Sequence, residues 1–240
     1  MLRNSGHQTM KYNIMHHFSR LVLDYDKVAK KVVINNDELH NEIINSLNFN
    51  EDQELKILDI GGITGQAMQL TLKAFPNSRL TGIFFSSNML ERAKINLRKY
   101  LNRCEFILND ITNKIRIEDE AYDAIVSSVT IHNITDSQKT ELFKKIFNSL
   151  KPAGQFINGD FYLGENDLVA NHLQNLYLTY VQEHLTGDDA DFWIRHIQED
   201  DMPMKLSEQF EILRKIGFIN IKLKWVHANE AVYSCVRPVF

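Results

Sequence analysis

Apolar residues recur at helical spacing through the first fifty positions, and at Lys56 the period changes. Phe18, Leu21, Val22 and Tyr25 make one amphipathic stripe. Leu39, Ile43, Ile44 and Leu47 make a second, with Asn36 and Asp37 as capping residues at its start. Lys56 to Ile60 is a short apolar run entering a glycine cluster, which predicts a buried strand feeding a tight turn. A helix over 66–75, closed by Pro76-Asn77, leads to a strand over 79–85. Ser86-Ser87 then caps a helix with Leu90, Ala93, Leu97 and Leu101 on one face. Strands follow at 104–108 and 123–126. Thr135 and Gln138 have capping-box spacing ahead of a helix carrying Leu142, Phe143, Ile146, Phe147 and Leu150. Lys151-Pro152-Ala153-Gly154 reads as its stop, and a fifth strand opens at Gln155.

Strands alternating with helices of this length predict parallel βαβ units with helices on both faces of one sheet. Residues 163–205 interrupt the alternation with two further helical patterns, one around Leu173, Tyr177 and Tyr180 and one around Phe192, Trp193 and Ile197. A helix started by Ser207 ends at Gly217, and strands at 218–226 and 231–236 flank a short turn over 227–230. Parallel neighbours need a crossover of about a dozen residues, so this short link makes the last pair an antiparallel hairpin. The expected architecture is a doubly wound, mostly parallel seven-stranded sheet with a terminal antiparallel hairpin. Its expected parts are an N-terminal helical segment (1–50), a cofactor-binding core (51–162 and 206–240) and a helical cover (163–205). The cover should lie over the carboxyl ends of the strands, where Tyr162, Tyr177, Tyr180, Phe192 and Trp193 offer aromatic lining for an acceptor pocket.

Composition narrows the possible functions. The 240 residues are 44% hydrophobic, enough for one sizeable core, and 27 basic against 31 acidic residues leave no electrostatic case for a duplex nucleic-acid partner. The first 35 residues are basic and 183–211 acidic, which reads as two solvated faces. No apolar run approaches the ~18 residues of a membrane span, and the N-terminus lacks the apolar core of a secretory signal. Cys104 and Cys235 form neither a disulfide framework nor a metal pattern. The expectation is a cytoplasmic protein with a small-molecule substrate, no membrane or nucleic-acid partner and no metal.

Five segments carry a resemblance: LDIGGITG (58–65), LTGIFFSSNML (80–90), FILNDI (106–111), YDAIVSSVTIHN (122–133) and LKPAGQFINGD (150–160). In this order and spacing they resemble the class I S-adenosylmethionine-dependent methyltransferases, with the nearest likeness to the branch acting on small molecules. A glycine-rich turn between strand and helix lets a ligand approach backbone N–H groups and the positive helix end. The resemblance implies that Asp59, Gly61, Gly62 and Gly65 hold the amino-acid part of S-adenosylmethionine. It further implies that Asp110 accepts from the adenine amino group with Ile111 beside it, and that Met89 packs on the adenine. The same resemblance implies that Ser127 offers its carbonyl to the methionine amine and that Tyr25 closes over the carboxylate.

Two positions depart from the pattern. Ile63 stands where the family's turn has its central glycine, and a β-branched residue disfavours positive φ there. Phe84 stands where an acid grips both ribose hydroxyls; only Ser86, Ser87 or Asn88 follows closely enough to substitute in part. Two readings stay open: a methyltransferase whose cofactor is bound weakly, or a non-methylating or non-catalytic member whose cofactor site is lost or altered. For the first, His132 in TIHN is the leading candidate for a general base and Asp160 the second. The methyl acceptor, whether an O-, N- or C-nucleophile, is not written in the sequence.

Overall fold

The computed structural model describes residues 25–109, 111 and 117–239. Phe18, Leu21, Val22 and Asp110 lie outside the described residues. The chain opens with α1 (Tyr25–Val32) and α2 (Asn36–Asn45) and enters the sheet at β1 (Lys56–Ile60). The alternation continues with α3 (Gln66–Ala74), β2 (Arg79–Phe84), α4 (Ser87–Asn96), β3 (Cys104–Leu108) and β4 (Tyr122–Ser128). Then come α5 (Asp136–Ser149), β5 (Leu150–Phe161), α6 (Asp167–His184), α7 (Gly187–Glu199), α8 (Leu206–Ile216), β6 (Ile219–His227) and β7 (Glu230–Val236).

The strands form one seven-stranded sheet in the order β3-β2-β1-β4-β5-β7-β6. β1 pairs in parallel with β2 and β4, as do β2 with β3 and β4 with β5, while β7 runs antiparallel to both β5 and β6. Strand order reverses outward from β1 and β4, so a crevice opens between their carboxyl ends, the usual ligand position in an open α/β sheet.

Alternate residues of each strand feed two cores. Ile57, Phe84, Val126 and Ile157 pack with α2, α3, α4 and α6 on one face. Leu58, Ile60, Ile125 and Phe156 pack with α5 and α8 on the other. Thr135 and Gln138 form the expected capping box of α5, and Gly217 closes α8 at φ 118°.

Two boundaries differ from expectation. The segment 151–154 does not separate α5 from β5: the strand starts at Leu150 and contains it, with a register irregularity between Tyr122 and Ala124 and Ala153 at φ 63°. A bulge absorbs the proline and glycine that read as a loop. The final turn is shorter than 227–230, because His227 still pairs with Glu230 and only Ala228-Asn229 reverse the chain, Ala228 at φ 50°.

Candidate functional site

The first turn after β1 is clamped to β2: Gly61 and Gly62 both donate N–H to the Ile83 carbonyl at 3.1 Å. Gly61 has φ 82°, and the Thr130 side chain occupies the space where its Cβ would be. A Cβ on Gly62 would lie 2.8 Å from Phe84 Cζ, so the ring at the end of β2 requires glycine in the turn above it. The turn is also tied outward. Thr64 Oγ1 donates to Asp26 Oδ1 at 2.5 Å, and Asn96 Nδ2 donates to Asp26 Oδ2 at 3.2 Å.

Beneath α1 and α2 this turn borders a narrow cleft, with Tyr25, Asn36, His40, Asp59, Ser128 and Val129 also in its wall. Ile63 and Val129, both in this wall, have φ 42° and 46°. Left-handed backbone at a β-branched residue costs on the order of 1–3 kcal/mol, and such strain concentrates at binding sites. Ile63 therefore adopts the glycine-like conformation that its side chain resists.

Asp59 is the cleft's electrostatic centre. It is 1% exposed, and neither carboxylate oxygen has a hydrogen-bond partner among the described residues. Burial pushes its pKa up to about 7. A buried, uncompensated carboxylate facing a cleft is poised for a ligand cation or hydrogen-bond donor. Across from it, His40 Nδ1 donates to the Asn36 carbonyl at 2.7 Å, and His40 Nε2 takes a hydrogen bond from Ser128 Oγ at 3.0 Å. Burial lowers the His40 pKa, which favours the neutral ring that such a donor-acceptor pair needs. Sequence reasoning missed His40; its position beside the apolar stripe of α2 was the signal available.

A second polar cluster lies where β4 and β5 end. His132 Nδ1 is 2.6 Å from Asp160 Oδ1, and Asp160 Oδ2 accepts the His132 backbone N–H at 3.0 Å. Asn133 Nδ2 lies 3.0 Å from His132 Nε2, with Asp201 Oδ1 at 3.6 Å. Burial works against a charged His132, but Asp160 and Asp201 outweigh it and hold its pKa above the ordinary imidazole value. Asp201 and His196, which are 3.3 Å apart, come from the α7 region, and Met202 N–H donates to the His132 carbonyl. The segment at the end of α7 thus meets the turn after β4.

The remaining expected residues divide. Tyr25, Asp59, Gly61 and Gly62 border the cleft, and Gly65 opens α3 beside it at φ 82°. Phe84, Met89 and Ser127 do not border it: each is at most 1% exposed, Phe84 and Met89 within the α2–α4 core. Ser86 sits at the N-cap of α4, and Ile111 packs against the opposite core. The aromatics of the cover are mostly structural. Tyr177 and Trp193 are buried, and the Tyr162 and Tyr180 hydroxyls donate to the Ala228 and Lys30 carbonyls. No metal-binding group of side chains occurs among the described residues, and no helix there is long and apolar enough to cross a membrane.

A family model described as a methyltransferase domain matches residues 57–154, the segment from β1 into β5. Over this segment the chain is similar to methyltransferases, the likeness that its motifs carry. Carboxy-S-adenosyl-L-methionine synthase of Nautilia profundicola is 28% identical over 213 residues, covering 88% of this chain and 89% of that protein. Malonyl-[acyl-carrier protein] O-methyltransferase of Priestia megaterium is 36% identical over 121 residues, half of this chain and 42% of that one. Among solved structures, phosphoethanolamine N-methyltransferase 2 of Haemonchus contortus, in complex with S-adenosyl-L-methionine, superposes with a TM-score of 0.68. That pair is 16% identical, covers 92% of this chain and 57% of the other, and shares the fold. The two ends of this region differ: Asp59 is a buried acid with no hydrogen-bond partner among the described residues, whereas the end of β2 is closed by the buried Phe84 ring.

Proposed function

We propose that the protein transfers a methyl group from S-adenosylmethionine to a small-molecule acceptor. The observation that carries this reading is Asp59, buried at the mouth of the glycine-rich turn with both oxygens unpartnered. An α-ammonium group is the natural complement of such a carboxylate, and the backbone N–H groups near the start of α3 suit an α-carboxylate. Asp59, the Gly61–Gly65 turn and Tyr25 would hold the amino-acid end. His40 and Ser128, locked to one another, shape the wall opposite.

S-adenosylmethionine supplies a methyl group already activated on a sulfonium. The chain then has to provide proximity, alignment and exclusion of water, effects worth roughly 7–11 kcal/mol of barrier when fully realised. In this reading His132, held through Nδ1 by Asp160, would accept an acceptor's proton at Nε2. An acceptor would replace Asn133 and Asp201 at that nitrogen.

A thermal-shift titration with S-adenosylhomocysteine tests the cofactor reading, because a ligand that binds only the folded state stabilises it by RT ln(1 + [L]/Kd). Stabilisation of the natural protein, with a much smaller effect in Asp59→Asn, is the expected result. A folded protein that shows no shift at millimolar ligand would end the methyltransferase reading in favour of a non-catalytic member. The similarity to a carboxy-S-adenosyl-L-methionine synthase over 88% of the chain favours one second reading, a reaction that modifies the cofactor itself. Mass analysis separates the two: methyl transfer leaves S-adenosylhomocysteine, and cofactor modification leaves a heavier S-adenosyl compound.

A further inference from the structure

The carboxyl end of β2 is closed by an aromatic side chain where a nucleoside-binding α/β fold ordinarily needs an acid. In such folds a carboxylate roughly twenty residues beyond the glycine-rich turn accepts the sugar hydroxyls. Phe84 occupies that place in this chain. It is 0% exposed, its ring is 5.9 Å from that of Phe106, and it packs directly beneath Gly62 and Gly82. It is a core residue that cannot swing out without leaving a void under the turn.

Two neighbouring acids among the described residues have partners of their own. Glu91 accepts from Lys94 at 2.8 Å, and Glu105 accepts from Thr81 at 3.3 Å. The Phe84 carbonyl is taken by the Asn109 N–H at 2.8 Å. Ser87 and Asn88, which follow at the start of α4, are exposed, so water reaches the surface beyond the ring. A sugar placed there would keep its hydroxyls in water rather than exchange them for a charged acceptor.

We infer that this site recognises its cofactor through the amino-acid end and is indifferent to the ribose hydroxyls, with Phe84 as the residue that sets this indifference. The inference rests on the cofactor reading above. The two ends of the ligand would contribute unequally. The Asp59 end offers a buried acid with no hydrogen-bond partner among the described residues, whereas the β2 end is closed by the buried Phe84 ring and offers no carboxylate among the described residues. Nucleosides altered at the 2′ or 3′ position should be accepted where an acid-bearing site would reject them.

The test is a calorimetric comparison of S-adenosylhomocysteine with its 2′-deoxy and 3′-deoxy analogues on the unmodified protein. A carboxylate-to-hydroxyl hydrogen bond would be worth roughly ten- to a hundredfold in Kd. Here the three ligands should bind within about fivefold of one another. A larger loss for either deoxy analogue would overturn the inference while leaving the cofactor reading intact. Failure of all three ligands to bind would remove the cofactor reading, and the inference with it. Phe84→Asp gives a second readout if it folds: preference for the hydroxylated ligand should appear in that variant. Unchanged preference in a folded, ligand-binding Phe84→Asp protein would overturn the assignment to Phe84. If the variant does not fold, the comparison on the unmodified protein decides alone.

Discussion

His132 Nδ1 lies 2.6 Å from Asp160 Oδ1, joining the turn after β4 to the end of β5. Asp160 also accepts the backbone N–H groups of His132 and Phe161, at 3.0 and 2.9 Å. One carboxylate therefore fixes the imidazole's orientation and the loop that carries it. The ring packs against Phe161 with the planes tilted by 60° and centroids 4.8 Å apart, so its position is set by packing as well as by charge.

Asp160→Asn should lower the His132 pKa, because the largest favourable charge beside the ring is removed while burial remains. The ring proton observed by NMR reports this directly: His132 should titrate above about 6.5 in the natural protein and distinctly lower in the variant. The sign for stability follows. A raised histidine pKa contributes stability that is fully present below about pH 6.5 and is lost as pH rises through the native value. Asp160→Asn should therefore cost most below pH 6.5. An unchanged titration would contradict the pairing.

Asp59→Asn should exchange function for stability. The Asp59 pKa is raised from 3.8 to about 7 by burial, so the folded state holds a proton that the unfolded state releases between those values. Stability from this group is present below pH 3.8 and falls as pH rises to about 7. Removing the charge should stabilise the fold at pH 8 by on the order of 2–4 kcal/mol, read by urea unfolding. The same variant should bind S-adenosylhomocysteine at least tenfold more weakly, a charge-assisted contact being worth about 1.5–3 kcal/mol.

Binding of S-adenosylhomocysteine should release a proton near neutral pH. A ligand ammonium beside Asp59 favours its charged form and draws its pKa down from about 7. Affinity should then rise between pH 6 and pH 7 and level off above, by up to about tenfold per pH unit. Calorimetry in buffers of different ionisation enthalpy counts the released protons. Absence of release at pH 6 would mean that Asp59 does not meet the ligand's amine.

Glu230→Ala should loosen α1 and α2 from the sheet. Glu230 Oε1 accepts the Ile34 N–H at 2.6 Å, and Oε2 accepts the Asn35 N–H at 3.2 Å, which pins the link between these helices to the first residue of β7. Leaving those donors without their carboxylate should cost roughly 1–3 kcal/mol. Amide exchange at Ile34 and Asn35 should accelerate more than exchange in β1 and β4, because the roof of the cleft opens before the sheet does. Equal acceleration throughout would indicate global destabilisation instead.

The architecture was legible because its signals are local. The change of period at Lys56, the clustered glycines, the Thr135–Gln138 spacing and the short final turn each constrain a few neighbouring residues, and the order of such signals selects one sheet topology. The departures at Ile63 and Phe84 were equally visible, since a residue type can be compared with what a turn or a sugar requires. What they do physically was not. Only the packed structure shows Phe84 enclosed beneath Gly62, Ile63 held at φ 42°, and the cover's aromatics spent largely on packing and backbone hydrogen bonds.

The polar partnerships were decided by tertiary structure alone. His132 and Asp160 are 28 residues apart, and His40 and Ser128 are 88 apart. No period relates such positions; strand register and the seating of α1 and α2 on the sheet bring them together. Asp59 is the clearest case. The sequence by itself determined an acid two residues before a glycine-rich turn, but its missing partner and raised pKa arise from burial by surrounding elements. Local chemistry specifies which groups are available, and long-range packing decides which are satisfied and which are left for a ligand.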